Sequence, residues 1–131
     1  MIYFLDTSTC VLILRGKIPC REQLAKHLPQ DIKIPSMVQA ELWTGVRGSA
    51  NPLRSAREVE TFLSPFESIP FDALAATVYA EIRSNLKLAG TPIGPADLVI
   101  AATTLAHHGT LVTHNTGEFE RIPGLRVQNW S

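Results

Sequence analysis

The chain has 131 residues, 45% hydrophobic and 18% charged, and its 12 basic and 12 acidic side chains leave a formal net charge of zero. This length suits one domain, and the apolar content suits an ordered core rather than a disordered chain. The balanced charge excludes a protein that grips nucleic acid over its whole surface; any phosphate-binding charge has to be gathered locally. No apolar run approaches the roughly 20 residues of a membrane span, and the N-terminus reaches Asp6 before a signal-peptide pattern develops. The chain therefore reads as cytoplasmic. Cys10 and Cys20 lack the spacing of a metal half-site and are expected to be ordinary buried thiols.

Taken in chain order, Ile2-Tyr3-Phe4-Leu5 is an apolar run of strand formers ending at Asp6. Thr7 or Ser8 then caps a helix carrying Val11, Leu12 and Leu14 and stopping at Gly16. Lys33-Ile34-Pro35 is too short to define a strand by itself. Ser36 with Gln39 forms a capping-box pattern for a helix through Met37, Val38, Glu41 and Leu42 that fades near Gly45 or Gly48. Asn51-Pro52 starts the next helix, with Leu53, Ala56, Val59, Phe62 and Leu63 at helical spacing up to Pro65.

Phe66 to Pro70 reads as a strand, and Asp72 opens a long helix closed by Gly90. A further helix runs from Pro95 to His108, with Gly109 as its stop, and Thr110 to Thr113 follows as a strand. Residues 114–124 read as loop, and Leu125 to Trp130 as a last edge strand. Strands alternating with helices predict an α/β fold: a four- to five-stranded, mainly parallel sheet with helices on both faces.

In such sheets ligands bind beyond the carboxyl ends of the strands. Asp6 ends the first strand, Glu41 lies just over one turn into its helix, and Asp97 sits in the first turn of the helix from Pro95. Asn115, Glu118 and Glu120 follow the strand at Thr110. Four segments can thus direct oxygen ligands to one edge, where a hard cation such as Mg²⁺ would bind and offset the repulsion among carboxylates. Each residue also has a plainer role. Asp6 can cap its helix, Asp97 can complement a helix dipole, and loop acids are commonly just solvated. Glu41, between Ala40 and Leu42, is harder to explain that way, because an unpaired buried carboxylate is costly. His107 and His108 suit the carbonyl end of their helix.

No GxSxG elbow, P-loop or GxGxxG fingerprint is present. Ser8 stands where a haloacid-dehalogenase-type phosphatase would need its second aspartate. A catalytically weak binding module and a DNase stay open as readings of the residues themselves.

Leu5-Asp6-Thr7-Ser8, and Glu41-Leu42 followed by Gly45, resemble the first two acidic motifs of PIN-domain toxins. The stretch from Ile93 through Asp97 to Ala102 resembles the third motif, and the stretch from Leu111 through Asn115 to Phe119 the fourth. Ile122-Pro123-Gly124-Leu125 with Trp130 is similar to the end of the VapC branch. The ordered set spans nearly the whole chain.

This resemblance implies a three-layer α/β/α PIN-like domain over residues 1–131, acting as the toxin of a bacterial toxin–antitoxin pair. It implies an endoribonuclease that uses Mg²⁺ or Mn²⁺ to cleave RNA, with tRNA expected. It also implies inhibition by a VapB-like antitoxin, a homodimer, and contact with operator DNA only through the antitoxin. Carried over residue by residue, Asp6, Asp97 and Glu41 are the expected metal ligands, and Asn115 and Glu118 complete the catalytic set. Many PIN domains have aspartate where this chain has Asn115, so one firmly held ion is expected rather than two, with Glu118 supplying the missing charge. Thr7 and Thr113 are candidates to orient ligands. Arg15, Lys17, Arg47, Arg54 and Arg57 are candidates for the RNA backbone. Trp43 and Phe62 suit either a dimer interface or the core.

Overall fold

The computed structural model describes residues 1–131. Five strands, β1 (Tyr3–Leu5), β2 (Ile32–Pro35), β3 (Glu67–Ile69), β4 (Thr110–Val112) and β5 (Arg126–Gln128), form one sheet in the order β3-β2-β1-β4-β5. Every pairing is parallel, as the alternating pattern predicts. Hydropathy explains the order. Phe4, Leu5, Ile32, Ile34, Leu111 and Val112 are all buried, as strands covered on both faces require. The outer strands carry exposed Glu67, Ser68, Arg126 and Gln128, which suit a sheet edge.

The helices are α1 (Thr7–Leu14), α2 (Ile18–Ala25), α3 (Ser36–Arg47), α4 (Pro52–Leu63), α5 (Ala73–Leu88), α6 (Pro95–Ala106) and the short α7 (Thr116–Phe119). The chain leaves β1 towards β2 and β3, then returns past β1 to β4 and β5. Right-handed crossovers therefore place α1 to α4 on one face and α5 and α6 on the other, giving the three layers. The reversal of direction falls between β1 and β4. In an open α/β sheet that is where a ligand crevice forms.

Several local expectations change. α2 has no counterpart in the sequence reading, because its composition gives no amphipathic pattern; Pro19 in its first turn and buried Cys20 are its only signals. β2 is an interior strand although only four residues long, held by β1 and β3 on either side. The capping box at Ser36 does not form. Pro35 precedes the helix, the Ser36 hydroxyl accepts from Phe71 N, and Gln39 accepts from Ser68, so both side chains tie α3 to the β3–α5 segment. Within residues 114–124, read as loop, α7 forms a single turn.

The left-handed residue after α6 is His108, with φ 55°, rather than Gly109. Gly109 serves another purpose: a Cβ there would lie 2.3 Å from the ring of buried Phe4. Cys10 and Cys20 are buried free thiols, as expected. Trp43 is partly exposed, while Phe62 packs edge-on against Phe66 at 5.6 Å. No helix is long and apolar enough to cross a membrane.

Candidate active site

The crevice at the reversal point is built first by Asp6. Its backbone N–H donates to Val112 O at 3.0 Å, continuing the β1–β4 ladder one residue past the strand. Its side chain, not that of Thr7 or Ser8, caps α1: Oδ1 accepts from Thr9 N at 2.9 Å. The Ser8 hydroxyl reaches back to both carboxylate oxygens, at 2.8 and 3.0 Å, and accepts the N–H of His114 at 3.1 Å. Asp6 is buried, yet no basic side chain pairs with it. Hydroxyl and amide donors hold its charge in place without cancelling it.

Glu41, half-buried on α3, accepts a short 2.6 Å hydrogen bond from Thr7 Oγ1. The first turn of α1 thereby orients two carboxylates, Asp6 through Ser8 and Glu41 through Thr7. Asp97 sits half-buried in the first turn of α6. Partial burial, the charge of Glu118, a proton shared with Glu118, and the charges of Glu41 and Asp6 push its carboxyl up to about 6. The structure thus brings together Asp6, Glu41, Asp97 and Glu118, which come from four segments of the chain.

Asn115 is placed differently. It is exposed, and its backbone N–H donates to the buried Thr113 hydroxyl at 2.9 Å. Its amide side chain makes no hydrogen bond that ties it to the carboxylates. Glu120, just after α7, is exposed. Thr113 therefore shapes the loop after β4, and Glu118 is the member of that loop coupled to Asp97.

The donor set is all oxygen, rich in negative charge and lacking a side-chain counter-charge, which matches the preference of Mg²⁺ or Mn²⁺. No three acids, histidines or cysteines are gathered tightly enough to enclose an ion by themselves. That also fits Mg²⁺, which keeps several waters and takes one or two carboxylates directly. Beside the carboxylates runs a cleft of about 440 Å³ between α1, α3 and α4, with Thr7, Glu41 and Arg15 on its walls. Among the other expected phosphate contacts, Arg54 pairs with Glu58 at 3.1 Å, and Arg57 lines a separate cleft near Ile13.

Sequence reasoning found all four clustered acids but missed the part played by Ser8. The signal was available, since a hydroxyl two residues after an aspartate commonly bonds back to it.

A family model described as "PIN domain" matches residues 3–125. The chain is 42% identical to Ribonuclease VapC2 of Rickettsia felis, over 99% of this chain and 98% of that one. It is 35% identical to the tRNA(fMet)-specific endonuclease VapC of Salmonella typhimurium, over 98% and 97%. In structure it is similar to a chain in a crystal structure of VapBC2 from Rickettsia felis bound to a DNA fragment from their promoter, with a TM-score of 0.95, 37% identity and full coverage of both chains. It is similarly close to a chain of DNA-bound VapBC from Salmonella typhimurium, with a TM-score of 0.94, 36% identity, and coverage of 100% and 99%.

Proposed function

Because the chain belongs to the PIN-domain family, in its VapC branch, we propose that it is the toxin of a toxin–antitoxin pair and a metal-dependent endoribonuclease, with tRNA as its substrate class. The observation that carries this reading is the gathering of Asp6, Glu41, Asp97 and Glu118 at the β1–β4 crevice, where burial and then the charges of Glu118, Glu41 and Asp6 raise the Asp97 carboxyl to about 6. Relatives named as a ribonuclease and as a tRNA(fMet)-specific endonuclease support the choice of RNA.

Asp6 and Asp97 would hold one Mg²⁺ or Mn²⁺ directly, and Glu41, Glu118 and Asn115 would hold its waters. A divalent ion bound there supplies an acidified water for attack on phosphorus and neutralises charge on the leaving oxygen. The chain itself fixes the geometry. Ser8 and Thr9 N–H lock the Asp6 carboxylate, and Thr7 locks Glu41, so the chain's own donors orient two carboxylates of the site. The partner is a VapB-like antitoxin that blocks the crevice, a reading supported by the VapBC complexes among the structural relatives. A homodimer is part of the same proposal.

The test uses Asp6→Asn and Asp97→Asn. Asparagine keeps the cap at position 6, so α1 stays formed and lost activity reports on the carboxylate. Each variant should abolish Mg²⁺-dependent cleavage of tRNA while keeping the wild-type circular dichroism spectrum. Full activity in either variant would refute the assignment. Cleavage of a matched DNA but not RNA would refute the substrate class.

A further inference from the structure

Resting on the ribonuclease reading, we propose a second nucleic-acid contact, in the cleft between α5 and the first turn of α6. It takes a backbone phosphate and an adjoining base of the strand whose scissile phosphate lies over the carboxylates. Tyr79, Arg83 and Lys87 recur every four residues along α5 and line this cleft of about 350 Å³. Side chains at that spacing share one helix face. Arg83 and Lys87 are both exposed and neither forms an ion pair, whereas Lys33 and Arg54 each have an acidic partner. Two like charges one turn apart cost the helix a few tenths of a kcal/mol, a cost that an anion between them reverses.

The opposite wall supplies the link to the reaction. Pro95 and Leu98 line the cleft and flank Asp97 on the first turn of α6. Two residues before and one after Asp97, they face a different side of that turn from its carboxylate, so a strand laid over the carboxylates reaches this cleft across the width of the helix, about 10 Å. Tyr79 is half-buried, in a T-shaped contact with Phe71 at 5.9 Å that restrains its ring, and it lines the cleft. A restrained aromatic ring beside paired cations suits single-stranded nucleic acid, in which bases stack and phosphates repeat.

A second copy of the chain suits the cleft less well. A two-fold contact here brings Arg83 and Lys87 of both copies together, and no acidic residue lines the cleft to offset them. None of these residues was among the cations singled out from the sequence, because their pairing with Tyr79 and with the Asp97 turn exists only in the fold.

The test measures binding of a fluorescent, unstructured RNA oligonucleotide to the full chain in EDTA, across a salt series, so that cleavage does not intervene. Arg83→Gln with Lys87→Gln removes the contact to one backbone phosphate, which contributes about 0.7 to the salt slope for a single strand. The slope should fall by about 0.7, and affinity at 0.1 M salt should drop about fivefold. Tyr79→Ala should weaken binding about tenfold with the slope unchanged, while Tyr79→Phe retains affinity. Arg83→Lys with Lys87→Arg, which keeps both charges, should restore the slope.

Unchanged affinity and slope in the glutamine variant would overturn the proposal, as would wild-type protein that does not bind the oligonucleotide. A change in sedimentation of the glutamine variant, with RNA affinity intact, would assign the cleft to a second copy instead. Failure of the ribonuclease reading looks different: the wild type binds RNA in EDTA with this charge dependence yet leaves it uncut in Mg²⁺.

Discussion

Replacing Asp97 by asparagine should stabilise the metal-free protein while destroying its response to Mg²⁺. Burial and the neighbouring acids raise this carboxyl from 3.8 to about 6. Folded Asp97 keeps its proton to higher pH than the unfolded chain does. The resulting advantage is full below about pH 4 and is lost as the pH climbs through about 6. At about 1.4 kcal/mol per tenfold change in acidity, the full loss would be about 3 kcal/mol. Asp97 is only half-buried, so solvent screening reduces this to about 1–2 kcal/mol. Removing a negative charge from the first turn of α6 forfeits about 0.3–1 kcal/mol of dipole interaction. The net gain for Asp97→Asn is then about 1 kcal/mol at pH 7.5, or about 3–5 °C in Tm for a chain of this length. Thermal unfolding in EDTA should show the two proteins nearly alike at pH 4 and diverging through pH 6. Saturating Mg²⁺ should raise the Tm of the wild type by mass action and leave the variant unmoved. A variant less stable than wild type in EDTA at pH 7.5, or a difference independent of pH, would refute the claim that burial and the neighbouring acids hold the Asp97 carboxylate at a cost to the fold.

Thr7→Val should weaken Mn²⁺ binding about tenfold or more by calorimetry, because Glu41 loses the 2.6 Å bond that orients it; Thr7→Ser should retain affinity. Gly109→Ala should lower stability by about 1–3 kcal/mol in denaturant unfolding, since its Cβ falls within 2.3 Å of Phe4. Smaller Phe4→Leu in the same chain should recover part of that loss. Thr110→Val should raise stability by about 1 kcal/mol in the same assay, because the buried Thr110 hydroxyl has no hydrogen-bond partner and valine fills the same volume.

The parts of this fold legible in the sequence are those where local chemistry and global placement agree. The buried strand at Phe4-Leu5, the Asn51 and Asp72 caps, and the long helix closed by Gly90 are all signalled within a few residues. α2 was illegible because its stability comes from packing against α1 rather than from an apolar stripe of its own. The Ser36 capping box misled for a related reason: the hydroxyl and the Gln39 amide found partners more than 25 residues away, on the β3–α5 segment. The acids of the site were legible because Asp6, Asp97 and Glu118 follow a strand or open a helix at the same end of the sheet, and Glu41 lies just over one turn into a helix that starts there. Their hierarchy was not. Only the three-dimensional arrangement shows Glu118, rather than Asn115, coupled to Asp97.

Asp6 shows why cap and ligand, which looked like rival roles in the sequence, are one design. An ionised carboxylate has about four lone-pair sites. Oδ1 spends two of them, on Thr9 N–H and the Ser8 hydroxyl, while Oδ2 meets only the longer 3.0 Å arm of that same hydroxyl. Oδ2 therefore keeps accepting capacity after the helix has been capped. The cap also fixes the carboxylate plane at the point where β1 and β4 part, which is where the topology opens a crevice. A ligand held this way loses little rotamer freedom when an ion binds, so the helix that needs Asp6 to start also presets it for metal. The same economy explains why Asp6 tolerates near-complete burial without a basic partner: its charge is met by donors that the α1 backbone and Ser8 already provide.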